Sequence, residues 1–427
     1  MMDHLIKINY KQYVLWISCL VYIFEQYLSF RQLRLFLIHD RPDELADIVT
    51  KEEFKKSQAY NLEGSYLGFI MSCYKQAEMV FILHYDILPL LWHFCSQLHK
   101  NELVQSALFL IFLKSLLTVT SLPFKLYGTF VIEERHGFNK QTIKFFLIDQ
   151  LKSQLVNALL MVPFVSAFFF IVELTGDRFY LYAWITMILF QLFFITVYPA
   201  WVQPVFNTLT PLEEGELKAS IEALAARVHF PLKKIYVMDG SKRSTHSNAY
   251  FYGFGNNQQI VLFNTLLTEQ VDEICAVLAH ELGHWQMSHT LQLFMIQQLH
   301  ILFIFWLFSR FVHSPQMITE FGFSETPAVI GFMLFQFIYF PVDSIVCFLQ
   351  HTYKRRIEYQ ADAYALGLEY SDTLRSALIK MSVKNLGGLI VDPWYSAWNH
   401  SHPSLIERLD MIGVKPALPV IKEKKTL

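Results

Sequence analysis

Apolar residues run in long stretches through most of the chain, and polar positions crowd into the gaps between them. Seven stretches, at roughly 10–30, 78–98, 103–123, 154–174, 179–200, 291–312 and 327–350, are each long enough for a helix to cross a hydrocarbon layer about 30 Å thick. The pattern predicts a mainly α, polytopic membrane protein of about seven transmembrane helices. Between the fifth and sixth stretches lies a long segment of mixed character, about 201–290. It opens on a proline-broken run that passes Pro211, after which Glu213 to Arg227 repeats apolar and charged residues at helical spacing. Lys234 to Met238, Asn248 to Tyr252 and Gln259 to Phe263 then read as short strands, the last two joined by a glycine- and asparagine-rich turn. A small sheet is expected ahead of the next helix.

Composition supports the membrane reading. Of 427 residues, 53% are hydrophobic and only 17% charged, too apolar a balance for an ordinary soluble chain. A net charge of −2 without a dense basic run gives no surface for nucleic acid. The cysteines (Cys19, Cys73, Cys95, Cys275, Cys347) are scattered, which suggests neither a disulfide framework nor a cysteine metal site.

Lysine and arginine set the orientation. Arg31, Arg34, Arg41, Lys51, Lys55 and Lys56 follow the first span, and Lys125, Arg135, Lys140 and Lys144 follow the third. The alternate loops hold little beyond Lys100, Arg178 and Arg310. The N-terminus is therefore expected in the lumen, and the segments after spans one, three, five and seven in the cytosol. The first span is too long for a signal peptide and lacks a small-residue cleavage site. The chain then divides into 1–200 (spans one to five with their loops), 201–290 (cytosolic), 291–350 (spans six and seven) and 351–427 (cytosolic). Glu25, His84, Asp86, Lys114, His300 and Asp343 fall within spans, where ionisable groups should face protein or water, suggesting a hydrated interior. Lys424-Lys425 in the tail resembles a retrieval address for the endoplasmic reticulum membrane.

Chemistry concentrates in Thr268 to His289, which reads as one helix with Thr268 as its N-cap and Glu269, Asp272 and Glu273 in the first turn. His280 and His284, four residues apart, share a face and can reach one metal ion, with Glu281 one step round beside its open position. Ala276, Ala279 and Gly283 keep one side small enough for a second helix to approach. The longer motif ending in a third histidine fails, because Met287 and Thr290 occupy its glycine and histidine positions, and His289 points off the ligand face. The second helix is Ile357 to Leu368. Glu358 is the best third ligand, and Asp362, on the same face, can hydrogen-bond a ligand imidazole; an exposed acidic pair is the plain alternative. Asn248 opens the strand placed to bind an extended substrate, or simply caps a turn. His402, ahead of Pro403 and a helix start, can stabilise an oxyanion, with Arg408 fixing it or adding charge; an ordinary helix start with an exposed arginine is the alternative.

Together these blocks resemble the integral-membrane zinc metalloproteases that act as CaaX prenyl proteases. The resemblance rests on Leu122-Pro123 with Phe130 to Thr142, Tyr198-Pro199 with Asn207 to Leu212, and His246 to Phe254. It also rests on Ala276 to Trp285, Arg355 to Ala365 and Ser401 to Arg408. It implies helices enclosing a water-filled chamber, and a cytosolic zinc domain holding one Zn²⁺ on His280, His284 and Glu358. By the same resemblance Glu281 is the general base, Asp362 supports a ligand, Asn248 and Ala249 contact substrate, and His402 and Arg408 support the transition state. The implied substrates are prenylated CaaX tails, cut after the lipid-bearing cysteine. Asn264 and Leu366-Gly367 depart from the family pattern. A membrane-protein quality-control protease, or a catalytically silent scaffold, would be the other readings of such a chain.

Overall fold

A computed structural model describes residues 9–255, 257–311, 314–325 and 327–413; Lys424 and Lys425 lie outside them. The membrane part comprises α1 (Tyr10–Phe36), α2 (Lys51–His84), α3 (Ile87–Leu98), α4 (Glu102–Tyr127), α5 (Ile143–Thr175) and α6 (Phe179–Val197). A short α7 (Gln203–Phe206) follows. The small domain then brings β1 (Leu209–Pro211), α8 (Glu216–Arg227), β2 (Leu232–Met238), β3 (Ala249–Phe254), β4 (Asn257–Phe263) and α9 (Val271–Gln286). Beyond it come α10 (His289–Phe308), α11 (Pro315–Glu320), α12 (Ala328–Gly367), α13 (Ser371–Lys384), α14 (Pro393–Asn399) and α15 (Leu405–Gly413).

Six of the described helices are long and apolar enough to cross a membrane, and seven spans result when α2 and α3 count as one. This pair differs from expectation: the stretch at 78–98 is bent by 63°. Asp86 sits at the bend in the left-handed region, φ 53°, and its carboxylate accepts from Lys11 Nζ at 2.7 Å. His300 lies 3.5 Å from Asp343 and 3.0 Å from the Tyr339 hydroxyl, and Glu25 lines a cavity, whereas His84 and Lys114 are exposed. That cavity, about 630 Å³, lies between α1, α2, the Gly128–Glu133 turn and α14, with Gln26, Gln32, Asn61, Glu133 and His400 on its wall. Away from it the helices pack through rings such as Trp92, Phe179, Phe305, Phe308, Phe335 and Tyr339.

At about 1.5 Å per residue the 40-residue α12 is roughly 60 Å long, twice the hydrocarbon thickness. Its second half must therefore leave the membrane, and it carries Glu358 and Asp362 into the small domain. The seventh span and the Ile357 to Leu368 helix are one continuous rod.

The sheet has strand order β1-β2-β4-β3, with β2 and β4 parallel and the outer pairs antiparallel. β1, in the proline-broken run, is too short for a period to announce it. Ile221, Leu224, Ile260, Leu262, Ala276 and Leu282 form the core between α8, the sheet and α9. On its other side α9 meets α12 through small residues: Ala276, Ala279, Ala361 and Ala365 are all fully buried. A Cβ added at Gly283 would lie 3.1 Å from Ala361 Cα, so any larger residue would press α12 outward by a few tenths of an ångström.

Candidate metal centre

The helix that bears His280 begins two residues later than its sequence suggests. Thr268 closes a 3₁₀ turn and donates to the Thr265 carbonyl, while Gln270 holds the N-cap position without a side-chain bond. Lys384 gathers Thr265 O, Thr268 Oγ1 and Glu269 from α13, which holds Thr268 in the turn and away from the helix end. Asp272 and Glu273 do occupy the first turn. Nor does one helix run to His289: α9 stops at Gln286, Ser288 turns the chain at φ 56°, and α10 starts afresh.

Close packing of α9 on α12 converges three ligand atoms. His280 Nε2 and His284 Nε2 are 3.3 Å apart, and the two Glu358 oxygens lie 3.5 Å from the first and 3.4 Å from the second. A tetrahedral ion about 2.0–2.1 Å from each ligand separates neighbouring ligand atoms by about 3.3–3.4 Å, so these residues fit such an ion. Among the described residues this is the one His/Cys/Asp/Glu group so arranged. Burial works to raise the Glu358 pKa, but the neighbouring His280, His284 and His402 rings outweigh it and hold the carboxyl below its usual range.

Around this cluster, Asp362 Oδ1 lies 2.8 Å from His280 Nδ1 on the ring's far side, as its spacing from Glu358 suggested. For Arg408 one of the two expectations, that it fixes His402, is corrected. It does not bond His402 but clamps Asp362, Nε to Oδ2 at 2.9 Å and Nη2 to Oδ1 at 2.5 Å. His402 instead sits 3.0 Å from Glu358 Oε2 with two thirds of its side chain exposed. Glu281, next to His280 on α9, has its pKa pushed up by burial, offset in part by the two histidines. His289, expected off the ligand face, does not face the metal position, yet its Nδ1 approaches His284 Nδ1 at 3.0 Å from behind.

β3 is an edge strand, and in the described residues no strand pairs with its outer side. Asn248, exposed at its start, gives its carbonyl to Phe263 N–H at 3.0 Å, so the groups of Ala249 point to the open side. There the Ala249 N–H is taken by Asn248 Oδ1 at 2.8 Å, which leaves the Ala249 carbonyl as the free acceptor. Just upstream, His246 stacks on Phe138 at 4.2 Å and lies 3.6 Å from Glu133, which Tyr60 also bonds at 2.6 Å. This tie between the strand's approach and the membrane helices was not legible from spacing. Asn264 bonds Ser241 N at 3.0 Å and Ser241 Oγ at 2.6 Å, a loop-fixing role away from the cluster.

The chain is similar to known proteins over nearly its whole length. Residues 32–208 match the family described as CAAX prenyl protease N-terminal, five membrane helices, and residues 211–413 match peptidase family M48. A rice protein named CAAX prenyl protease 1 homolog is 41% identical, over 94% of this chain and 97% of its own. CAAX prenyl protease 1 of Saccharomyces cerevisiae is 38% identical over 98% and 97% respectively. The crystal structure of S. mikatae Ste24p superposes with a TM-score of 0.92 at 38% identity, covering 95% of this chain and 99% of that one. With both halves matched in order and the likeness running the length of the chain, this protein is a membrane metallopeptidase of family M48 and belongs to the CAAX prenyl proteases.

Proposed function

We propose that this metallopeptidase uses zinc to cut prenylated CaaX tails after the modified cysteine, releasing the last three residues. The observation that carries the reading is the ligand triangle of His280, His284 and Glu358, with Glu281 beside it on α9 and the edge strand β3 packed against that helix. One Zn²⁺ held by those three residues would lower the pKa of a coordinated water toward neutrality and polarise the scissile carbonyl.

The chain's own groups supply the rest. Glu281 takes the proton of the attacking water and returns it to the leaving amine; burial raises its pKa, which makes it a stronger base for the first of these transfers. Asn248 and Ala249 hold the substrate's main chain, the Ala249 carbonyl accepting from a peptide N–H. Glu358 Oε2 can only accept from His402 Nδ1, so it is the protonated imidazole, with a second N–H on Nε2, that donates toward the oxyanion. Asp362 supports His280, and Arg408 acts through Asp362.

A lipid-bearing substrate accounts for the site's position at a membrane border. Burying part of a farnesyl chain at about 25 cal/mol per Å² contributes several kcal/mol, enough to shift kcat/KM by orders of magnitude. The same reading puts the protease domain in the cytosol and the N-terminus in the lumen of the endoplasmic reticulum, which protease protection of a tagged protein in microsomes tests.

The deciding experiment compares purified protein on a farnesylated CaaX peptide and on its unmodified twin, with metal analysis alongside. The lipid form should be cut far faster, with the tripeptide identified by mass spectrometry. Equal rates, or cleavage scattered along unrelated sequences, would support a quality-control protease instead.

A further inference from the structure

We propose that His289 is a positioning residue for His284, holding it in the metal-binding tautomer through a directed chain of N–H donors that ends on Gln360. The inference rests on the metal reading above and adds a residue to it.

His284 turns Nε2 toward the cluster, 3.3 Å from His280 Nε2 and 3.4 Å from Glu358 Oε1. A neutral imidazole that offers its Nε2 lone pair to a cation carries its proton on Nδ1. That nitrogen lies 3.0 Å from His289 Nδ1, and a single proton fits between them. His284 therefore donates and His289 accepts, which leaves the His289 proton on Nε2. His289 Nε2 lies 3.1 Å from Gln360 Oε1, an acceptor, so the chain of bonds closes in one direction only. Were His289 to donate from Nδ1, His284 would carry its proton on Nε2 and present N–H to the metal position.

The placement is built by the chain. On a continuous helix, residues five apart point about 140° away from each other. The left-handed Ser288, φ 56°, breaks α9 from α10 and brings His289 back behind His284, where it is 1% exposed. Gln360 comes from α12, between Glu358 and Asp362 on the same rod. The two histidine ligands thus have different outer partners: His280 has the Asp362 carboxylate clamped by Arg408, and His284 has a neutral ring.

The test is metal affinity of the purified, zinc-loaded protein by chelator competition, for wild type, His289→Asn, His289→Phe and Gln360→Met. Asparagine sets an oxygen acceptor near the Nδ1 position; phenylalanine fills the space with none. His289→Phe should bind zinc about 10–100-fold more weakly, His289→Asn should recover most of that loss, and Gln360→Met should lose several-fold. Thermal unfolding of the metal-free forms reports whether each variant folds; should His289→Phe not fold, Gln360→Met against His289→Asn decides. Wild-type affinity in His289→Phe, or equal loss in His289→Asn and His289→Phe, overturns the proposal. His284→Ala distinguishes the two readings: if it keeps its zinc, the ligand assignment itself is wrong.

Discussion

Arg408 grips Asp362 through two hydrogen bonds, and Asp362 in turn reaches His280, so a cation on α15 steers a ligand imidazole on α9 through a carboxylate on α12. Removing one partner of a buried ion pair costs about 3–5 kcal/mol, because the other charge stays buried and unpaired. Arg408→Ala should lower the melting temperature and weaken metal retention together. The double variant Arg408→Ala/Asp362→Asn should recover part of the stability, since it leaves no orphan charge. Thermal unfolding of the purified proteins checks both.

Metal binding and catalysis should separate at Glu281. Its carboxylate forms no part of the ligand triangle, so Glu281→Gln is expected to retain zinc while losing roughly 10²–10⁴-fold in hydrolysis. His284→Ala and Glu358→Ala should lose the metal as well. Elemental analysis beside a peptide assay decides it: full zinc and activity in Glu358→Ala would remove that residue from the ligand set.

Gly283 sets the spacing between the two ligand-bearing helices. Alanine in a helix interior is favoured over glycine by up to about 1 kcal/mol. Here, however, its Cβ would meet Ala361 Cα and O at 3.1 and 3.2 Å, backbone atoms that cannot rotate away. Overpacking at about 1–3 kcal/mol should win. Gly283→Ala should therefore destabilise the protein, and Gly283→Val should also lose metal by pushing Glu358 from the histidines. A stabilised Gly283→Ala would show that α12 yields more readily than this contact implies.

Glu273 gives a pH signature away from the metal. Its burial acts to raise the pKa, but Lys380 and Ser376 bond Oε1, both at 2.6 Å, and bring it below the ordinary value. A depressed folded-state pKa stabilises above the unfolded value, near 4.3, and that stabilisation is lost as the pH falls through the folded value. The melting temperature of wild type should exceed that of Glu273→Gln by a steady margin above about pH 5 and by a shrinking one below about pH 4.3. A margin independent of pH would remove charge from the explanation.

Local periodicity by itself determined much of this protein. Long apolar runs gave the spans, and four-residue spacing put His280 over His284 and Glu358 over Asp362, because a helix repeats every 3.6 residues whatever surrounds it. Small residues along one side of α9 further indicated the face a second helix would meet. Tertiary packing decided the rest. Asp362 is 82 residues from His280 and 46 from Arg408, and no repeat within a helix encodes which of several polar groups will meet across such gaps. Spacing therefore offers Arg408 either as a support for His402, its neighbour in sequence, or as an added charge, whereas its hydrogen-bonded partner lies on another helix. His289 was dismissed because a continuous helix turns it away from the ligand face, and only the left-handed Ser288 brings it back. The bend at Asp86 is of the same kind. An apolar run records how much surface seeks burial, whereas the direction of the chain through it depends on a backbone angle and on the Lys11 contact reaching in from another helix.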